Sequence, residues 1–98
     1  MSIKTTPWKA SDYLNSHEEI EAYLQSSIED TLEMGDSRIF KSALQDVVKA
    51  KKISVIAKKS ELSRESLYKA LNPESHARFD TINKVINALG FKIKIEPI

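Results

Sequence analysis

The sequence predicts an all-α fold, a five-helix bundle that contains a helix-turn-helix and is followed by one short C-terminal β-strand. Three observations favour this fold. With two glycines and three prolines in 98 residues, the chain has few helix breakers, and 41% of its residues are hydrophobic. Apolar residues recur at spacings of three and four through five segments. Residues that commonly cap helices stand at the borders of these segments.

The first helix is predicted to begin just after Ser16, because Ser16 and Glu19 have the spacing of a capping box. Gly35 follows the last periodic residue, as a helix-terminating glycine does. The outer face is acidic and carries Glu18, Glu21, Glu29 and Glu33. The predicted inner face consists of Ile20, Tyr23, Leu24, Ile28 and Leu32.

The second helix is predicted to start at Asp36, which is placed to cap it, and to end in the basic run 49–52. Its apolar positions are Ile39, Phe40, Ala43, Leu44, Val47 and Val48. The fifth helix begins at Phe79 or Asp80 and closes at Gly90. Its apolar positions are Ile82, Val85, Ile86 and Leu89.

The third and fourth helices are short and close together. The third begins at Ser54, and the fourth is capped by Ser63 and ends at Leu71 before Pro73. Only about three residues separate them, which is the pattern of a helix-turn-helix whose second helix enters the major groove of DNA. A plain helical hairpin with a solvated basic face has the same spacing.

The exposed side of the fourth helix is chemically suited to DNA. With Leu67 and Leu71 inward, Arg64 can donate to guanine and Glu65 can accept from cytosine. The predicted base-reading residues are Ser63, Arg64, Glu65, Ser66, Tyr68 and Lys69. The predicted phosphate contacts are Lys51, Lys52, Ser54, Lys58, Lys59 and Arg78, with Ser54 acting through its backbone amide.

The period of the sequence changes after Gly90, where residues 91–96 alternate apolar and charged side chains and predict a strand. A single strand leaves backbone donors and acceptors unpaired, and the other short candidate in the chain spans residues 3–6. We therefore expect pairing with a second copy across a two-fold axis, which gives a homodimer. The apolar side chains of this dimer strand are Phe91, Ile93 and Ile95.

One domain is expected over residues 1–98, with an N-terminal helical extension at 1–35, a helix-turn-helix core at 36–90 and the strand at 91–96. The net charge of +1 is the sum of two halves with opposite net charge. Residues 1–48 carry 4 Lys+Arg and 9 Asp+Glu, whereas residues 49–98 carry 11 and 5. The basic half suits a polyanion and the acidic half a different, basic partner. On charge alone, two ordinary solvated faces are the simpler interpretation.

Several classes of protein are disfavoured. The absence of cysteine excludes disulfides and thiolate metal sites. No apolar run approaches the roughly 20 residues that span a bilayer, and the N-terminus lacks the apolar core of a signal peptide, so a cytoplasmic location is expected. His17 and His76 lie in different segments with no carboxylate pair at metal-ligand spacing. We expect no enzyme, no cofactor and no small-molecule substrate.

Further segments carry a family resemblance: 12–14 (DYL), 20–24 (IEAYL), 62–71 (LSRESLYKAL), 79–81 (FDT) and 84–90 (KVINALG). In these the chain resembles the addiction-module antidote proteins, antitoxins with a Cro/C1-type, lambda-repressor-like helix-turn-helix that are usually encoded beside a toxin similar to RelE or HigB. The resemblance covers nearly the whole chain. It implies a dimeric antitoxin that binds double-stranded operator DNA, represses its own operon and neutralises a ribonuclease toxin.

The chain departs from the family pattern at a few positions. Glycine is usual where this chain has Glu61, near Lys52 and in the loop 75–77, and glutamine is common where Val55 stands. Glu61 is therefore expected to need a costlier backbone conformation. Two alternatives stay open. One is a free-standing helix-turn-helix transcription regulator, which shares every DNA-binding feature, and the other is a helical protein-interaction module, which the acidic half favours.

Overall fold

Five helices are formed in the computed structural model, which describes residues 16–98. They are α1 (His17–Met34), α2 (Arg38–Lys51), α3 (Ile53–Ser60), α4 (Arg64–Leu71) and α5 (Phe79–Ala88). The predicted all-α class is confirmed for these residues. The strand candidate at 3–6 and the first part of the predicted N-terminal extension lie outside the described residues.

The core is assembled around α2, which packs against α1, α3 and α4, while α3 packs in turn against α4 and α5. The buried residues of α2 keep the predicted spacing from Ala43 to Val48. Each of the five helices contributes at least one side chain that is 2% exposed or less: Ile20, Leu44, Val47, Val48, Ile56, Leu67, Leu71 and Val85. The helical periodicity read from the sequence therefore identifies most of the core.

α1 begins and ends as predicted. The amide of Glu19 donates to Ser16 Oγ (3.0 Å) and the amide of Ser16 donates to Glu19 Oε1 (3.1 Å), which completes the capping box. Gly35 is left-handed (φ 69°) and its amide donates to the Thr31 carbonyl.

Two residues of the predicted inner face lie outside the core: Leu32 is 77% exposed, and Ile28 is half-buried but is not among the residues that pack against the core. Each lies one position past a residue of the inward stripe, Ser27 or Thr31, so both turn away from α2.

The start of α2 is held by Asp36. The N-cap residue is Ser37 and not the predicted Asp36, and Ser37 makes no side-chain cap bond; the Asp36 carboxylate instead accepts from the amide of Arg38, the first helical residue, through Oδ1 (3.0 Å). The Arg38 guanidinium also donates to Asp36 Oδ2 (2.9 Å). These hydrogen bonds from Arg38 hold the pKa of the Asp36 carboxyl below its usual value and raise the pKa of Arg38.

The boundaries of α3 differ from the prediction by one residue, because the helix begins at Ile53 and not at Ser54. Lys52 turns the chain with φ 77° and ψ 123°, and its carbonyl accepts from the amides of Val55 and Ile56. At the other end, Glu61 is left-handed (φ 63°). The costly backbone conformation predicted for Glu61 is confirmed, and a positive φ also occurs at Lys52, near which glycine is usual in the family.

The C-terminal segment forms no strand within residues 16–98, so the strand predicted at 91–96 is absent from the single chain. A β-ladder requires a second strand, and the described residues before Gly90 are helices and short connections. The segment leaves α5 at Gly90 (φ 95°), and the Phe91 ring stacks on His17 with centroids 4.1 Å apart. The chain therefore attaches the beginning of this segment to the first turn of α1.

Candidate nucleic-acid interface

α4 has one buried and one exposed side. Leu67, Ala70 and Leu71 face the core and are at most 7% exposed. The remaining side chains of the helix are exposed, as the inward placement of Leu67 and Leu71 predicts: Arg64, Glu65, Ser66, Tyr68 and Lys69. The helix thus presents a guanidinium, a carboxylate, a hydroxyl, a phenol and an ammonium group along eight residues.

The first turn of α4 is fixed by Ser63. Its Oγ accepts from the Ser66 amide (3.0 Å) and donates to Ser66 Oγ (3.0 Å). The Ser63 hydroxyl is therefore already engaged, whereas the Ser66 hydroxyl keeps its own proton for a ligand. Of the two serines predicted to read bases, Ser66 is the better placed to donate.

The angle between α3 and α4 is set by the turn 61–63. With Glu61 left-handed, the Leu62 amide reaches back to the Ala57 carbonyl (3.1 Å) and the Glu61 amide to that of Lys58 (3.3 Å). Leu62 is half-buried and packs against the core. Backbone hydrogen bonds in the turn and apolar packing, to which Leu62 contributes, thus hold the two short helices in a fixed relation.

The predicted phosphate residues are all exposed, but they do not form one cluster. Arg78 lines a shallow groove together with Ser66 and Lys69 of α4. Lys59 lines a separate hollow beside Lys84 of α5. The other exposed members lie near the two ends of α3: Lys51, Lys52, Ser54 and Lys58.

Sequence reasoning missed three residues near this surface. His76 and Thr81 line the same groove as Ser66, Lys69 and Arg78, and Lys84 stands beside Lys59. The sequence carries no local signal for the first two, because His76 in the loop 72–78 and Thr81 in α5 reach this groove only through the tertiary fold. Lys41 of α2 holds this loop by donating from Nζ to the Ser75 carbonyl.

Other kinds of site find little support in the part of the chain that the structure describes. No group of histidine and carboxylate side chains between residues 16 and 98 is arranged to hold a metal ion. None of the helices in that range has the length and apolar character needed to cross a bilayer.

Comparisons with known proteins identify a related family and a similar sequence. A family profile described as "probable addiction module antidote protein" matches residues 4–97. An uncharacterised protein of Haemophilus influenzae is 34% identical over 97 residues, which are 98% of this chain and 95% of that protein. No solved structure is significantly similar to the chain.

Between residues 16 and 98 the chain folds into five helices, and two of these are short, adjoin each other and present polar and basic side chains. The match to the family profile extends over almost the entire sequence. The chain belongs to the probable addiction module antidote protein family, an antitoxin family whose members are typically not enzymes.

Proposed function

We propose that the chain is a dimeric antitoxin that binds double-stranded operator DNA in a sequence-specific way, represses its own operon and neutralises a ribonuclease toxin similar to RelE or HigB. The DNA-binding part of this proposal rests on the helix pair α3 and α4. Two helices of eight residues are joined by three residues, and the polar side chains of the second are exposed. This arrangement fits a lambda-repressor-like helix-turn-helix.

In this proposal α4 lies in the major groove. Arg64 makes a bidentate contact with guanine, Glu65 accepts from cytosine, and Ser66, Tyr68 and Lys69 contact neighbouring base edges. Ser63 contributes chiefly by holding the first turn of α4, because its hydroxyl is engaged there. Arg78 shares a groove with Ser66 and Lys69, which favours a phosphate contact beside the base-reading residues.

The remaining phosphate contacts come from the ends of α3. Lys51 and Lys52 precede the helix and Lys58 lies in its last turn. Ser54 is the second residue of α3, so its amide is among the N-terminal amides that lack an intrahelical acceptor and can donate to a phosphate. Lys59 lies apart from the groove that Arg78 shares with α4, in the hollow beside Lys84.

Dimerisation is assigned to the segment 91–96. Ile93 and Ile95 are 43% and 93% exposed. The segment has no ladder partner among residues 16–98, and an antiparallel copy would supply one. The stack of Phe91 on His17 fixes where the paired segment starts relative to the helices.

Binding to the DNA upstream of the chain's own gene tests the DNA-reading role. Arg64→Ala should weaken specific binding by about 1–3 kcal/mol and relax the preference at one base pair. Lys52→Ala should weaken binding to operator and random DNA alike and reduce the salt slope by about one. Gln25→Ala, on the exposed side of α1, is the control and should leave both unchanged. Equal effects of Arg64→Ala on the two DNAs would reject base reading by α4.

The same surface would serve a free-standing transcription regulator. Family membership favours the antidote, and co-purification with the protein encoded beside this gene separates the two. A regulator without a toxin would bind the operator and leave that neighbouring protein unbound.

A further inference from the structure

α1 packs through one stripe and leaves another uncovered. Its inward stripe is Ile20, Leu24, Ser27 and Thr31, at spacings of four, three and four, and it faces α2. A second stripe with the same spacing points outward. We call this the α1 outer stripe, and it consists of Glu21, Gln25, Ile28 and Leu32.

The C-terminal end of the α1 outer stripe is apolar. Leu32 is 77% exposed and Ile28, one turn earlier, is half-buried. Single exposed leucines are common on protein surfaces and need no explanation. Here Leu32 lies one helical turn after the partly buried Ile28 on the same face of α1, so the two side chains form a small apolar ridge.

The ridge is surrounded by negative charge that the helix itself does not favour. α1 contains six acidic residues and no lysine or arginine. Glu29 and Glu33 repel each other at i and i+4, and Glu33 lies in the last turn of α1, where the helix dipole disfavours anions. No cation between residues 16 and 98 forms an ion pair with either; Glu29 accepts only a long hydrogen bond from Gln25 (3.4 Å). Local helix stability therefore does not account for these carboxylates.

We propose that the α1 outer stripe, with Glu29 and Glu33 beside it, is the surface on which the toxin docks. The proposal rests on the antidote function proposed above. Charge complementarity specifies the occupant: a protein with a basic surface around an apolar recess that receives Leu32. A second copy of this chain is a poor occupant, because an isologous contact would bring this acidic face against itself. DNA is repelled for the same reason.

The position of α1 in the fold permits both partners at once. α2 packs against both α1 and α4, and α1 does not pack extensively against α4. A protein on the α1 outer stripe and a duplex on α4 therefore occupy different parts of the molecule. The toxin complex should retain operator binding.

The test measures association and dissociation of the full chain with the purified protein encoded beside its gene, at low and high salt. Leu32→Ala should weaken the complex about tenfold, mainly through faster dissociation. The triple change of Glu21, Glu29 and Glu33 to Gln should slow association about tenfold at low salt and much less at high salt.

Two controls lie away from α1. Phe79→Ala removes an apolar side chain that is 71% exposed on α5, and Glu74→Gln removes an exposed acidic charge. Both should bind the toxin as the wild type does. All variants should keep wild-type helicity and operator affinity.

The outcomes separate the two proposals. If the wild type binds the toxin and every variant binds equally, the α1 outer stripe is not the docking surface, although the antidote function stands. If the wild type does not bind the toxin, the proposed antidote function itself fails. A change in mass by light scattering for Leu32→Ala would identify the stripe as a contact between copies and would also overturn the proposal.

Discussion

Two non-glycine residues with a positive φ flank α3. Lys52 has φ 77° and ψ 123°, and Glu61 has φ 63° and ψ 26°. The left-handed helical conformation of Glu61 costs an L-residue about 1–2 kcal/mol, and the positive φ of Lys52 is also unfavourable for a residue with a side chain. The chain must turn at both ends of an eight-residue helix, and the packing of α3 against α2, α4 and α5 holds these two residues in place.

Glu61→Gly should therefore stabilise the protein. The removal of strain is partly offset by the greater freedom of glycine in the unfolded chain, so we expect the free energy of unfolding to rise by about 0.5–1 kcal/mol. Urea denaturation measures the change. Lys58→Gly, inside the same helix, is the control and should lower the free energy of unfolding by about 1 kcal/mol. Equal losses from both changes would contradict a left-handed Glu61.

Asp36 provides a prediction about pH. Hydrogen bonds from Arg38 lower its pKa in the folded protein below the ordinary value of 3.8. The pair therefore stabilises the fold above that ordinary value, and the contribution is lost as the pH falls through the lower, folded pKa. In Arg38→Gln, the NMR titration of the Asp36 carboxyl should move upward towards 3.8. An unchanged titration curve would show that Arg38 is not the cause.

At the scale of the element, α4 depends on a single cap. Ser63 Oγ accepts from the Ser66 amide, and no other side-chain cap holds the start of this eight-residue helix in the described structure. Ser63→Ala should lower the free energy of unfolding by about 1 kcal/mol. Ser66→Ala should change stability less and weaken operator binding more. The reverse ranking, in thermal unfolding and gel-shift measurements, would mean that Ser63 is the base-reading serine.

The turn after α5 joins the two ends of the described chain. A Cβ on Gly90 would lie 2.9 Å from Cε1 of His17, whereas one on Gly35 would meet nothing within 4 Å. Both glycines have positive φ, so alanine is strained at each and should cost about 1–2 kcal/mol. Gly90→Ala should cost more than Gly35→Ala and should also shift the His17 ring resonances that the Phe91 stack perturbs. Identical effects would exclude a functional contact between this turn and α1.

At the scale of the whole molecule, the main prediction concerns the oligomeric state of the chain. Ile95 is 93% exposed in the single chain, so Ile95→Lys should leave the helices intact and break pairing of the 91–96 segments. Light scattering at tens of micromolar should give a dimer for the wild type and a monomer for the variant. Ile98→Lys, beyond the predicted strand, is the control and should remain dimeric. A monomeric wild type would contradict the proposed dimerisation through residues 91–96.

The local features of this chain could be read from its sequence. The capping box at Ser16, the left-handed Gly35, the cap at Ser63 and the buried positions of α2 all follow from interactions within one or two helical turns. The exposed side of α4 follows as well, because inward Leu67 and Leu71 determine where their neighbours point. Residue order alone is sufficient for such short-range geometry.

Other features of the chain were decided by the tertiary structure, because they depend on which helices pack against each other. Leu32 is apolar and nearly in register, but it is exposed because α2 meets the stripe that ends at Thr31. The sequence offers no reason to distinguish Lys59 from Arg78 as phosphate contacts. In the folded chain, Lys59 lines a hollow with Lys84, whereas Arg78 lines a groove with Lys69 of α4. Residues 91–96 alternate as a strand does, and a strand needs a partner that the described chain does not supply. Such outcomes are set by contacts between residues distant in sequence, which periodicity and capping signals do not encode.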